Sequence, residues 1–370
     1  MKAILPRQDL QDALTAITSL TSSRTPKPIL SCVKLSAEGD SLHLSATDGE
    51  AGLLLSIPVL SLERSGETVV PADRLLGIVR ELSDVEIELD AVERHCNICG
   101  EGSKFHIFVM DAGDFPPVPN FEDEPDLVLA GDELRRMIAR TLYAAARETS
   151  RYAINGVLWN KVGKRLSLIA TDGRRLARAG GSVSSASSAD FEVIVPAKAL
   201  GVFEKVFSPP RESDGWTVEV KVMPNQVLLR SGGRVLSSVL VEGQFPKYDD
   251  VIPKGNDRRV QLRREELLAA VRRAALLTTE ESRAVKLSFD KDQLVITSKS
   301  PEEGEARIEM PVVYDGVAMQ IAFNPAFLVD ALRAISFEEV ILELGENLRP
   351  GILCGEDKQE YLYVIMPVSL

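Results

Sequence analysis

The residues with the most obvious chemistry are four cysteines and three histidines. Cys96 and Cys99 form a Cys-x-x-Cys pair, with His95 beside it and His106 seven residues beyond Cys99. Thiolate and imidazole at such spacing could hold zinc. Residues 93–109 read as two strands around Gly100-Glu101-Gly102, however, and residues three apart on one strand face opposite sides. Cys32 and Cys354 stand alone, so no second pair completes a tetrad. Thiols in a reducing compartment are the expected state. No nucleophile elbow, phosphate loop, dinucleotide fingerprint or His-Glu-x-x-His motif occurs. With His43, His95 and His106 all early in the chain, acid–base chemistry would rest on carboxylates. The prominent ones, Asp48 and Asp172, both read as turn residues. The expectation is no enzyme, no metal and no cofactor. A metal-dependent hydrolase using Asp48, Asp172 and the Cys/His cluster is the competing reading from another class.

Those two turns lead to the elements around them. Leu166, Leu168 and Ala170 alternate up to Thr171-Asp172-Gly173-Arg174-Arg175, after which Leu176 resumes the apolar run. Asp-Gly between apolar runs signals a hairpin, because Gly tolerates positive φ and Asp bonds its own backbone. Ala46-Thr47-Asp48-Gly49-Glu50 repeats the turn 124 residues earlier. Such a period demands a search for further repeats. Val69-Val70-Pro71-Ala72, Ile194-Val195-Pro196-Ala197 and Ala322-Phe323-Asn324-Pro325-Ala326 each open an apolar-periodic helix, with Pro where a first helical turn accepts one. Polar-capped helices starting near Leu10, Leu134 and Leu267 open the three copies. Gly113-Asp114-Phe115-Pro116 and Gly243-Gln244-Phe245-Pro246 close the first two. In the third, Thr297-Ser298-Lys299-Ser300-Pro301 reads as a degenerate form of the Asp-Gly turn.

The chain is therefore read as three tandem α+β domains, 1–121, 127–253 and 257–370, of antiparallel sheet with helices on one face. The acidic run Glu122-Asp123-Glu124-Pro125-Asp126 and Pro253-Lys254-Gly255-Asn256-Asp257 mark the junctions. With 370 residues, 45% of them apolar, each copy can bury its own core. No signal core and no run of 18 apolar residues occurs, so a cytoplasmic protein is expected.

A net charge of −12 argues at face value against nucleic acid. Its distribution qualifies this. The six proposed helices (7–20, 72–82, 131–150, 197–205, 263–276 and 326–335) carry +3 together and the remainder −15. Arg135, Arg136, Arg140, Arg147, Arg263, Arg264, Arg272 and Arg273 crowd two of them. Either these are ordinary solvated faces or they line a surface that meets an anion. The tail Tyr361-Leu362-Tyr363-Val364-Ile365-Met366-Pro367-Val368-Ser369-Leu370 stays apolar to its end. It reads as a last strand, or as the wall of a groove in which Met suits several ligands. The loop Ser23-Arg24-Thr25-Pro26-Lys27-Pro28 reads as a solvated connection or a phosphate contact.

Together these features resemble the bacterial sliding-clamp family. The resemblance rests on the triplicate, on Arg24 with Pro28-Ile29-Leu30, and on Arg151-Tyr152 with Asn155-Gly156. It rests further on Thr171 to Ala177, on Gly243-Gln244-Phe245-Pro246 and on the Val-Ile-Met-Pro tail. It implies the DNA-clamp fold in three tandem copies, sheets outside and two helices per domain inside, with a head-to-tail homodimer closed into a ring. Closure is what makes a heterologous interface a ring rather than a filament. The function implied is a processivity factor that encircles duplex DNA without sequence specificity. The partners implied are the replicative polymerase, the clamp loader, other polymerases and repair proteins. They would dock through short linear motifs of the Gln-Leu-x-Leu-Phe kind. A non-encircling peptide-binding scaffold is the alternative.

Carried over position by position, the resemblance implies a peptide pocket of Arg151, Ile154, Thr171, Gly173, Arg174, Arg175, Leu176, Pro246, Val251, Leu348, Pro350, Val364, Met366, Pro367 and Leu370. Arg24, Tyr152 and Lys198 match DNA-contact positions. At the dimer contact, Arg74, Lys104, Phe105 and Ile107 would meet Leu276, Leu277, Glu302, Glu303 and Glu305 of the other subunit. The chain departs from the family pattern at Arg174, where His is common, at Ser369, where a basic residue is frequent, and at Ala153, which replaces an aromatic residue. The Cys96–Cys99 pair is not a family feature.

Overall fold

A computed structural model describes residues 1–21, 25–100, 102–147, 153–187, 189–209, 215–279, 283–346 and 349–369. Among them are the helices α1 (Arg7–Thr18), α2 (Ala72–Glu81), α3 (Gly131–Ala139), α4 (Ala197–Val206), α5 (Arg264–Ala275) and α6 (Pro325–Ala334), two per sequence copy. None is long and apolar enough to cross a membrane. Their apolar spacing sets the buried face: α1 buries Leu10, Ala13, Leu14 and Ile17, one stripe at 3.6-residue periodicity. The prolines act as read. Pro71 directly precedes α2, and Pro325 takes the first turn of α6, where the Asn324 side chain accepts the Ala326 N–H at 3.0 Å.

Contacts divide the chain into two compact units, and the division runs through the middle copy. The first unit holds residues 1–132, 183–189 and 198–240. Its five-stranded sheet runs Ser61–Arg64, Lys2–Pro6, Glu86–Val92, His95–Gly100, Ser103–Phe108. Its nine-stranded sheet runs Ser185–Ala186, Leu127–Ala130, Thr217–Val222, Gln226–Ser231, Arg234–Val239, Ala51–Pro58, Ser41–Thr47, Cys32–Glu38, Gly66–Pro71. The middle copy's last strand thus pairs antiparallel with the first copy's hairpin strand, Leu236 opposite Leu53.

The second unit holds residues 133–182, 190–197 and 241–370. Its eight-stranded sheet runs Phe191–Pro196, Gly156–Val162, Arg165–Thr171, Arg175–Ser182, Tyr361–Ile365, Gly351–Cys354, Glu339–Leu344, Arg258–Arg263. Here the same junction recurs: Arg175–Ser182 pairs with the final strand, Leu176 opposite Val364. The four-stranded sheet runs Gly304–Pro311, Gln293–Ser300, Val285–Asp290, Met319–Phe323. In each junction an apolar strand that would otherwise be an exposed edge is covered by its neighbour.

Two expectations change on the structure. The helix read over 131–150 ends at Ala139, and only a 3₁₀ turn, Leu142–Ala144, follows. The Thr141 hydroxyl bonds back to the Met137 carbonyl at 2.8 Å, while Arg140 is drawn inward to Glu360 at 2.8 Å and over the Phe337 ring. A guanidinium so buried is not a surface cation. Arg264 is likewise spent, donating to the Phe337 and Leu332 carbonyls at 3.0 and 3.1 Å. The cationic surface is therefore thinner than the count of eight arginines implied, with Arg272 and Arg273 exposed on α5. The degenerate third turn, by contrast, keeps its chemistry. The Ser300 hydroxyl accepts the N–H groups of Glu302 and Glu303, two and three residues on, as Asp48 and Asp172 do for their own turns.

Candidate functional site

The Thr171-Asp172-Gly173 turn is built by its own side chains. Asp172 Oδ1 accepts the N–H groups of Arg174 and Arg175 at 3.0 and 3.1 Å. The Thr171 hydroxyl accepts from Gly173 N–H at 3.1 Å and donates to the Arg175 carbonyl at 2.6 Å. Gly173 has φ +85°, a conformation that costs a residue with a Cβ about 1 kcal/mol or more. These bonds fix the strand start that presents Arg175 and Leu176.

Beside that start lies a cleft of ≈ 220 Å³ lined by Ile154, Thr171, Gly173, Arg175, Leu176, Pro246, Tyr248, Val251, Val364 and Met366. Its floor continues into a buried cluster that includes Ile154, Leu158, Leu176, Phe245, Leu362 and Val364. Met366 is held at the rim because its N–H bonds the Arg174 carbonyl at 3.0 Å, which continues the strand pairing one step past Ile365. An apolar cavity with a few polar atoms at its edge suits side chains of an extended peptide. A larger concavity, ≈ 720 Å³ around Arg258, Asp290, Gln320 and Glu346, is more open and more polar, with Phe289 and Met319 in its lining.

Nine of the fifteen pocket residues read from sequence thus meet at one cleft. Arg174 is exposed, Pro350 and Pro367 are half-buried, and none of the three lines it. Arg151, Leu348 and Leu370 lie outside the described residues. Tyr248 was missed. The signal was there: it lies three residues after Phe245 and packs edge-on to that ring at 6.5 Å.

Arg175 carries the polar side of the cleft. Its Nε donates to Asp172 Oδ2 at 3.0 Å, Nη1 to Asp330 Oδ2 at 2.8 Å and Nη2 to the Tyr143 carbonyl at 2.8 Å. Its guanidinium stacks 4.4 Å from the Phe327 centroid. Burial opposes the charge, but the Asp330 bond and the nearby anionic groups outweigh it and raise the pKa, so the cation persists at any working pH. Burial also raises the phenols of Tyr143 and Tyr363 behind it, which stay protonated.

Of the proposed DNA contacts, Lys198 is exposed on α4 and pairs with Asp48, while Arg24 and Tyr152 lie outside the described residues. Of the proposed dimer residues, Arg74 is exposed on α2. Ser103–Phe108 is an edge strand with Lys104 and Phe105 exposed, Ile107 buried, and Phe108 76% exposed. Gly304–Pro311 is also an edge strand, with Glu302, Glu303 and Glu305 exposed at its start. Leu276, just past α5, is 77% exposed, and Leu277 is half-buried.

The Cys/His cluster does not form a chelate. Cys96 is buried, and burial pushes its thiol up to about 12, whereas Cys99 is half-buried on the same strand. His106 instead faces Asn97 across the strand pair at 2.5 Å. Among the described residues no three His, Cys, Asp or Glu groups are placed to share a metal.

Comparison with known proteins agrees with this architecture. Residues 1–119, 128–247 and 249–369 match the N-terminal, central and C-terminal domains of the DNA polymerase III beta subunit. The chain is 32% identical to the beta sliding clamp of Pseudomonas aeruginosa over 373 residues, covering all of both chains. It is 30% identical to that of Chlamydia muridarum over 371 residues, covering 100% of this chain and 99% of that protein. Among solved structures, the Pseudomonas aeruginosa DnaN sliding clamp bound to griselimycin superposes with TM-score 0.93 at 30% identity, each chain fully covered. The Bacillus subtilis DNA polymerase sliding clamp superposes with TM-score 0.94 at 25% identity, covering 100% of this chain and 99% of that one. The triplicated sheet-and-helix domain and the full-length matches converge: this chain belongs to the sliding-clamp family, the beta subunits of DNA polymerase III.

Proposed function

We propose that the chain is the processivity clamp of a replicative DNA polymerase. It acts without catalysis, by encircling duplex DNA and tethering polymerases, the clamp loader and repair proteins. Its domains are residues 1–121, 127–253 and 257–370, and its partners' linear motifs enter the cleft beside Leu176 and Met366. That cleft, apolar and held by a self-bonded turn on one side and the chain's final strand on the other, is the observation that carries the docking reading. Arg174, Pro350, Pro367 and the undescribed Arg151, Leu348 and Leu370 would contact the flanks of a longer ligand.

The ring reading is supported by two open edges. Ser103–Phe108 ends a five-stranded sheet, and Gly304–Pro311 ends a four-stranded one. Paired between two copies, they give a nine-stranded sheet, as large as the one the chain already builds at its first junction. Lys104 on one edge faces Glu302, Glu303 and Glu305 on the other, with Arg74, Phe105, Ile107, Leu276 and Leu277 around them. Opposite charges on the two edges favour this pairing and resist each edge pairing with itself. A closed homodimer of this kind needs only backbone-directed contacts, from the cations Lys198 and Arg24 and the hydroxyl of Tyr152, for contact that is sequence-independent and salt-sensitive. Its place of work is the cytoplasm, on the nucleoid.

The test is topological. The protein is loaded onto nicked circular plasmid by its loader, the complex is isolated, and the DNA is cut once. Encirclement predicts protein retained on the circle and lost from the linear form. Equal retention on both would favour the non-encircling scaffold. A hydrolase would show itself by stoichiometric metal in the purified protein that disappears on Cys96→Ser.

A further inference from the structure

The geometry points to Asp330, on α6 and outside the cleft lining, as a positioning residue for peptide docking that acts through Arg175. The inference rests on the reading of the cleft as the docking site. Arg175 lines the cleft, yet its hydrogen bonds run away from it: Nε to Asp172, Nη1 to Asp330, Nη2 to the Tyr143 carbonyl. The guanidinium lies against Phe327, one turn before Asp330 on the same helix face, and its side chain is only 10% exposed. What the peptide meets is therefore the arginine stem, set in place by acceptors on three separate elements. Asp172 belongs to the hairpin itself, so it travels with Arg175. Asp330 and Phe327 do not, and they hold the strand start against the helix of the next domain. Phe327 is in turn fixed by its carbonyl, which accepts from the Tyr363 hydroxyl at 3.0 Å on the strand that carries Val364.

The sequence repeat supplies an independent argument. At the first junction the position equivalent to Arg175 is Ala51. The position equivalent to Asp330, sixth in α6, is Val202, sixth in α4. Val202 is buried and carries no acceptor. Both ends of the strut are missing together at the first junction, where Val118 fills the space beside the turn.

Asp330 thus fixes the Arg175 stem as one wall of the cleft, and releasing it leaves a long, flexible side chain free to fill the space that a peptide leucine needs. The test measures affinity for a labelled Gln-Leu-Ser-Leu-Phe peptide by fluorescence anisotropy in the full-length dimer. Asp330→Ala is expected to weaken binding about tenfold, and Asp330→Asn, which keeps an acceptor oxygen, by about threefold or less. In an Arg175→Ala background Asp330→Ala is expected to add nothing, since residues acting through one contact are not additive. A merely structural role would instead add its loss in both backgrounds. Unchanged affinity in Asp330→Ala, or full additivity with Arg175→Ala, overturns the inference. Met366→Ala run in parallel separates the two readings: if it too leaves affinity unchanged, the cleft assignment has failed rather than the strut.

Discussion

The two junction sheets carry the same Thr-Asp-Gly hairpin beside the same kind of terminal strand, and they differ in what fills the space beside it: among the described residues a cleft lies at the second. At both turns the carboxylate accepts the N–H groups two and three residues on, and the threonine hydroxyl closes the loop. The difference lies one residue further along. Leu176 in the second unit corresponds to Gly52 in the first, and the missing side chain is replaced by Val118. A Cβ on Gly52 would sit 2.5 Å from Val118 Cγ1 and 2.8 Å from Ser237 Oγ. Val118 packs there with Phe115, Ile29 and Cys32. In the second unit the residue corresponding to Val118 is Tyr248, which stands at the cleft edge and leaves the middle open. One fold thus gives a joint filled by Val118 and an open cleft by exchanging Gly–Val for Leu–Tyr.

The sharpest way to break this comparison is to put the leucine into the sealed joint. Gly52→Leu forces either Val118 or the strand to move, and overpacking of this kind costs about 3 kcal/mol. For a unit of this size that lowers the first unit's unfolding temperature by roughly 10 °C. Adding Val118→Ala is expected to recover about half of the loss, because it vacates the space the leucine needs. Peptide affinity at the other junction should not change. Differential scanning calorimetry reads the first two effects, and an undiminished unfolding temperature in Gly52→Leu would mean that Val118 is not what closes the joint.

The reverse experiment acts on the open site. Leu176→Ala removes a wall of the cleft, and losing that apolar contact is expected to weaken peptide binding about tenfold. Leu176 also belongs to the buried cluster, so the second unit loses about 2 kcal/mol of stability. Binding is therefore measured by calorimetric titration far below the unfolding temperature. Affinity equal to that of the unaltered protein would show that the peptide does not reach Leu176.

Local chemistry was what the sequence made legible. The Asp-Gly turns, the proline-led helices and the apolar tail each announce themselves through bonds made within a few residues, and the repeat tied them together. Ser300 could be recognised in the third copy because a hydroxyl can take over the acceptor role of a carboxylate. What stayed hidden depends on partners far along the chain. Arg140 looks like a surface cation in a helix, yet it is buried because Glu360 and Phe337 come to it from the C-terminal copy. The resemblance places Arg175 in the peptide pocket, and nothing nearby in sequence says that Asp330 and Tyr143 consume its donors. The sealing of the first joint was equally hidden, since Gly52 and Val118 meet only in the folded sheet.

The smallest difference between the two turns is electrostatic. Asp172 holds its cation from three residues away in the same hairpin, whereas Asp48 holds Lys198 from 150 residues away on α4. Burial works to raise the Asp48 carboxyl, but the Ala51 N–H, the Lys198 ammonium and the Glu50 N–H outweigh it and hold it below the usual carboxylate range. A depressed pKa means stability present above the unfolded value, about 3.9, and lost as the pH falls through the folded one. Lys198 is 60% exposed, so solvent screening keeps the pair's share to about 0.5 kcal/mol. Asp48→Asn keeps an oxygen for the turn and removes the charge. Its urea midpoint is expected to lie slightly below that of the unaltered protein at pH 7, and the gap to narrow as the pH is lowered to 3. A gap of equal size at both pH values would mean that the turn's hydrogen bonds, and not the reach to Lys198, account for what Asp48 contributes.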